Sequence, residues 1–97
     1  MVTLRVRLMV HDYNMWRAAF DKDAGGREAH GCTGYRIFRP TDDDNRVELD
    51  LDFESATQAE TFLGVLRNEV WPSSDKAPAK VGAPETSTLE LMESHSY

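Results

Sequence analysis

Residues 46–66 read Arg-Val-Glu-Leu-Asp-Leu-Asp-Phe-Glu-Ser-Ala-Thr-Gln-Ala-Glu-Thr-Phe-Leu-Gly-Val-Leu, and two periodicities meet inside them. Val47, Leu49, Leu51 and Phe53 alternate with Arg46, Glu48, Asp50 and Asp52, the two-residue period of a strand with one face buried. Ser55 and Gln58 then form a capping box, after which Ala59, Phe62, Leu63, Leu66 and Val70 recur on one helical face. Trp71-Pro72 stops that helix, because the residue before a proline is driven out of helical geometry.

The same unit stands at the start of the chain. Val2, Leu4, Val6, Leu8 and Val10 alternate with Thr3, Arg5, Arg7 and Met9 as a strand; Asp12 sits where an N-cap belongs, and Tyr13, Trp16 and Phe20 follow at helical spacing. This helix is expected to reach about Asp23. Gly25 and Gly26 each cost about 1 kcal/mol in a helix interior, and a kinked continuation through Arg27 and His30 is favoured over an interruption before Gly31. Tyr35 to Arg39 reads as the second strand, joined through Pro40 and the polar loop Thr41 to Asn45 into a hairpin with the third. Ser73 to Glu85, rich in Pro, Ala, Gly and Lys, reads as a loop long enough to serve as a lid or wrapping segment. Thr88 to Met92, with Leu89 and Leu91 on one side, is the last strand, and Glu93 to Tyr97 a tail.

The order is βαββαβ, one domain over residues 1–97. Two interlocked units of this kind give an α+β, ferredoxin-like fold: a four-stranded antiparallel sheet in order 4-1-3-2, both helices on one face. Even positions of the first strand and odd positions of the third face the helices. The opposite face carries Arg5, Arg7, Arg36, Phe38, Glu48, Asp50, Asp52 and Glu90. Either it is a solvated polar surface, each cross-strand pair contributing about 0.2–1 kcal/mol, or a second copy covers it. In the second case the charges must be paired or wet, since unpaired burial costs several kcal/mol per ion. An apolar dimer seam is not expected.

Composition narrows the partners. Net charge is −6, which disfavours nucleic acid, whose binding rests on basic side chains. No apolar run approaches the ~20 residues of a membrane span, and the alternating N-terminus lacks a secretory pattern, so a cytoplasmic protein without a membrane partner is expected. The single cysteine, Cys32, allows no intramolecular disulfide and has no basic neighbour to activate it.

Candidate site residues each carry two readings. His11 is the best single acid/base candidate, although next to the capping Asp12 it equally marks a strand-helix junction. Tyr13, Trp16, Phe20 and Tyr35 either line an aromatic pocket between the first helix and the sheet or are core, and Trp71 either caps that cavity or anchors the loop. Arg27 either meets an anionic ligand or pairs with Glu28 or an Asp of the first helix. His11 and His30 would lie about 28 Å apart along a straight helix, and no carboxylate-histidine spacing suggests a metal site; no metal and no cofactor is expected.

The segments Val10-His11-Asp12-Tyr13, Trp16, Phe20-Asp21, Arg27, Gly31 and Gly34-Tyr35-Arg36-Ile37-Phe38-Arg39 together resemble the short bacterial proteins of the dimeric α+β barrel superfamily. Asp43 to Val47, Asp52 to Ser55, Ala59 to Phe62 and Val81 to Pro84 extend the likeness over nearly the full length. These proteins are relatives of antibiotic biosynthesis monooxygenases and are often labelled cyclase-like. The resemblance implies a homodimer in which two sheets pack face to face through the charged surface, helices outside. It also implies a protein handling a small aromatic or polycyclic molecule, as a cofactor-independent monooxygenase or cyclase. The alternative is a non-catalytic homodimer that binds a metabolite or has a structural role.

Overall fold

The alternation in residues 2–10 and 46–53 becomes strands β1 (Val2–Val10) and β3 (Arg46–Phe53), antiparallel neighbours at the centre of the sheet. The computed structural model describes all 97 residues. Helix α1 (Tyr13–Asp21) follows β1, β2 (Gly34–Phe38) pairs with β3, α2 (Ala56–Val65) follows β3, and β4 (Lys80–Glu90) returns beside β1. The sheet order is β2-β3-β1-β4, the expected ferredoxin-like arrangement. Leu4, Val6, Leu8 and Val10 of β1 and Val47, Leu49, Leu51 and Phe53 of β3 are buried beneath the helices, joined by Trp16, Ala59, Phe62, Leu63 and Ala79. Each large apolar side chain so buried contributes roughly 1.5–3 kcal/mol, which makes this layer the main source of stability.

Both caps form as read. Asp12 accepts a hydrogen bond from the Met15 amide at 3.0 Å, and Ser55 accepts from Gln58 while the Gln58 side chain accepts from the Ser55 amide. The kinked continuation of α1, however, is not found. The helix ends at Asp21, and a separate 3₁₀ turn covers Glu28–His30. Asp23 and Gly26 take left-handed backbone angles, φ 53° and 70°, which no α-helix accommodates. Arg27 then folds back, its guanidinium donating to the Phe20 carbonyl at 2.9 Å and satisfying a helix-end acceptor. Gly25 lies so close to Phe62 that an added Cβ would stand 3.2 Å from the ring. At the other helix, residues Leu66–Val70 relax into one π-helical turn before Trp71.

The loop expected over 73–85 is shorter than read, because β4 begins at Lys80. Lys80 and Val81 pair with Val10 and Met9, and the register then shifts so that Glu85 meets Arg7. Gly82, Ala83 and Pro84 fall inside this bulge, with Gly82 at φ 72°; β4 is an edge strand, where a proline without an N–H leaves no ladder bond broken. The new register also corrects the side assigned to two residues. Glu90 lies opposite Val2 and so belongs to the helix side, whereas Leu89, opposite Thr3, belongs to the open face.

That open face is an ordered ionic layer. Arg5 clasps Asp50 through Nε at 2.8 Å and Nη2 at 3.1 Å, and Arg36 clasps Asp52 at 2.7 and 3.0 Å while reaching Asp50 at 3.5 Å. Arg7 meets Glu48 at 3.1 Å. Asp50 and Asp52 are buried beneath the arginines. Around these charges stand the exposed Met9 and Phe38, both expected on this side, joined by exposed Val81 and Leu89, which were not. No helix is long and apolar enough to cross a membrane.

Candidate functional site

The interrupted end of α1 opens a gap in the helix layer. Val6, Leu8, Leu49 and Leu51 of the sheet form its floor, Trp16, Ala19 and Phe20 one wall, and Phe62, Leu66 and Val70 of the second helix the other. Trp71, Lys76, Ala77 and Pro78 cross its mouth. The cavity encloses about 80 Å³, and 13 of its 19 lining residues are hydrophobic. At roughly 30 Å³ per water this is space for two or three waters.

The wall aromatics are held by one another. Trp16 and Phe20 stack at 5.2 Å between centroids, one helical turn apart as their spacing requires, and Tyr35 meets the Phe20 ring edge-on at 5.0 Å. The Arg27 guanidinium lies 3.8 Å over Phe20, pinned there by its bond to the Phe20 carbonyl and by Asp23 at 3.4 Å. Arg27 therefore pairs with the Asp just beyond α1, as one of its two readings held.

Trp16, Phe20 and Trp71 thus come together on the cavity. Tyr13 and Tyr35 do not line it. Tyr13 packs behind Trp16 at 6.0 Å with Arg39 over its ring, and Tyr35 sits behind Phe20, partly exposed. His11 is outside as well. It is exposed at the end of β1, its Nε2 3.3 Å from the Pro78 carbonyl, and so holds the back of the mouth segment rather than facing the interior. His30 bonds the Gly26 carbonyl at 2.9 Å, Cys32 points its thiol at the Gly34 carbonyl, and no three His, Cys, Asp or Glu side chains converge as a metal would require.

Four charged residues line the cavity: Asp23, Arg27, Lys76 and Lys80. Sequence reading missed all but Arg27 as site candidates, because the turn that brings Asp23 inward and the early start of β4 that brings Lys80 inward leave no periodic trace. Leu66 and Val70, by contrast, were already marked by the helical stripe.

No protein-family model matches the chain, and no curated protein sequence does. Solved structures do match. SnoaB, a cofactor-independent oxygenase from Streptomyces nogalater, is 16% identical over 96% of this chain and 94% of its own, with a TM-score of 0.71. A protein from Bordetella bronchiseptica that carries the name antibiotic biosynthesis monooxygenase is 13% identical over 95% and 97%, TM-score 0.72. A dimeric ferredoxin-like protein from an uncultured marine organism is 13% identical over 96% and 97%, TM-score 0.69. By its sheet order, its one-sided helices and these matches over nearly its whole length, the chain has a ferredoxin-like fold, the fold it shares with these three proteins.

Proposed function

We propose that this chain is a homodimeric small-molecule-handling protein whose cavity takes a planar aromatic or polycyclic compound, with cofactor-independent oxygenation or cyclisation as the activity to test. The observation that carries this reading is the cavity itself: an apolar chamber between helices and sheet, walled by the Trp16–Phe20 stack and closed by Trp71. Flat faces of this kind match a flat ligand, and aromatic contacts add about 0.5–1.5 kcal/mol each beyond area burial. Ligand pockets usually span about 300–1,000 Å³. Admitting a polycyclic molecule therefore requires residues 72–79, bridging Trp71 and β4, to move outward.

The dimer rests on the open sheet face, where exposed Phe38, Val81 and Leu89 surround buried carboxylates already paired to arginine. A second copy laid there gains apolar burial while the carboxylates of Asp50 and Asp52 stay paired, and the dimeric name of one structural neighbour agrees.

A binding-only role is favoured by one feature. The lining contains no His, Cys, Ser, Tyr or Glu, and its single carboxylate, Asp23, is committed to Arg27. A reaction here would draw on acidity in the substrate itself. The test is titration of Trp16 and Trp71 fluorescence with naphthol and anthracene-type phenols, alongside dissolved-oxygen uptake. Saturable quenching that is lost in Ala77→Trp, which plugs the mouth, supports the site. Quenching without oxygen uptake or product leaves the binding-only role, and no saturable quenching by any compound sinks both.

A further inference from the structure

We infer that the ligand of this cavity is an anion, its aromatic body held by Trp16, Phe20 and Trp71 and its acidic group by Lys76 and Lys80. This rests on the aromatic-ligand reading above and adds the class of compound. The chain has three lysines against seventeen acidic residues, and two of the three line this one cavity. All seven salt bridges in the molecule use arginine as the cation. Lys76 and Lys80 thus have no carboxylate partner within 4 Å, and the one bond made by either amine is from Lys80 Nζ to the Gly82 carbonyl at 2.8 Å. That leaves Lys80 two further donors and Lys76 three.

The other charges at the cavity cancel. Asp23 and Arg27 pair at 3.4 Å, and Arg27 is further occupied by the Phe20 carbonyl and ring. What remains is a local charge of +2 at the mouth of an apolar chamber, in a chain of net charge −6. Surface charges elsewhere on the chain repel an anion, so a carboxylate or phenolate gains most where two ammonium groups stand beside a low-dielectric wall. Ammonium groups act as point charges without the planar fork of arginine, which suits a single acidic oxygen better than a rigid bidentate clamp does.

The experiment compares two ligands of equal shape, 2-naphthoate and 2-naphthamide, by isothermal titration of the full chain at low and at physiological salt. Naphthoate is expected to bind about tenfold more tightly at low salt, the gain two partly exposed charge contacts supply, and to lose most of that margin as salt rises. In Lys76→Gln/Lys80→Gln the preference vanishes while naphthamide affinity is unchanged; Lys22→Gln, on the turn outside the cavity, keeps it. Equal binding of the two ligands, or a preference that survives in the double variant, overturns the inference and leaves the aromatic-ligand reading standing. If neither ligand binds, both fall.

Discussion

Replacing Asp52 tests whether the ionic layer on the open face holds the sheet together. Its side chain is 10% exposed and accepts from Thr3 Oγ1 at 2.8 Å and from Arg36 Nη1 and Nη2 at 2.7 and 3.0 Å. Charge-assisted bonds contribute about 1.5–3 kcal/mol each at buried sites. The Arg36 side chain, however, is 46% exposed, and water takes up the freed guanidinium, which discounts its two bonds to about 1–2 kcal/mol together. With about 1 kcal/mol for the stranded Thr3 hydroxyl, Asp52→Ala is expected to cost about 2–3 kcal/mol. At about 4–8 °C per kcal/mol for a domain of this size, Tm falls by about 8–24 °C. Asp52→Asn, which keeps the shape and removes the charge, should lose about half as much. The same geometry sets a pH dependence. Hydrogen bonds from Arg36, and secondarily from Thr3, hold the Asp52 carboxyl below its ordinary 3.8 against the opposing effect of burial. A depressed folded pKa gives stability that is fully present above the unfolded value and lost as pH falls through the folded one. The gap in Tm between the native chain and Asp52→Asn should thus be constant from pH 7 to about 5 and close below about 4. Circular dichroism melts across that range read both effects. A loss under about 2 °C at pH 7, or a gap that persists at the acid end, would refute the reasoning.

Ser55→Ala removes one half of the capping box and is expected to lower stability by about 1 kcal/mol, read as a Tm drop of about 4–8 °C. Gly31→Ala puts a Cβ 2.8 Å from Gln58 Nε2 at φ 91°, so it should cost about 1–2 kcal/mol and perturb the same cap; urea denaturation measures it. Phe38→Lys/Leu89→Lys alters two side chains exposed in the single chain, so monomer stability should move by no more than about 0.5 kcal/mol, while sedimentation equilibrium should show the dimer weakened. An unchanged dimer would move the interface off this face. Phe20→Ala removes the stacking partner of Trp16 and the seat of Arg27 and, since Phe20 is only half-buried, is expected to cost about 2–3 kcal/mol in the melt.

Much of this architecture was legible because periodicity maps directly onto burial. A strand with one wet face must alternate, and β1 and β3 do so with Met9 the one exception, which placed every large core side chain of the central pair. The caps at Asp12 and Ser55 were legible because their chemistry is local, a side-chain oxygen meeting an amide three residues on. What failed was non-local. The reach of α1 hung on Asp23 and Gly26 adopting left-handed angles and on Arg27 returning to the Phe20 carbonyl, a contact between residues that no spacing rule connects. The start of β4 hung on a bulge against β1, and a stretch containing Gly82 and Pro84 looks like a loop until an edge position makes its missing N–H harmless. Leu89 and Glu90 took the faces opposite to those their polarity suggests, because their sides follow from pairing with Thr3 and Val2.

The candidate site divides along the same line. Trp16 and Phe20 are one turn apart on one helix, so the chain's own geometry put them together, and Trp71 was marked by the proline that ends the second helix. Tyr13 and Tyr35 share the composition of that cluster without reaching the cavity, since their positions place them behind the wall rather than on it. Lys76 and Lys80 entered it only through the folded path of the mouth segment. Alone, the sequence determined the βαββαβ order, the two caps and the buried faces, because these follow from interactions within a few residues and from the need to bury apolar surface. Only the tertiary structure decided where α1 stops, which face Leu89 shows, and that His11 braces the mouth from outside, because each depends on a register or turn closed by distant partners.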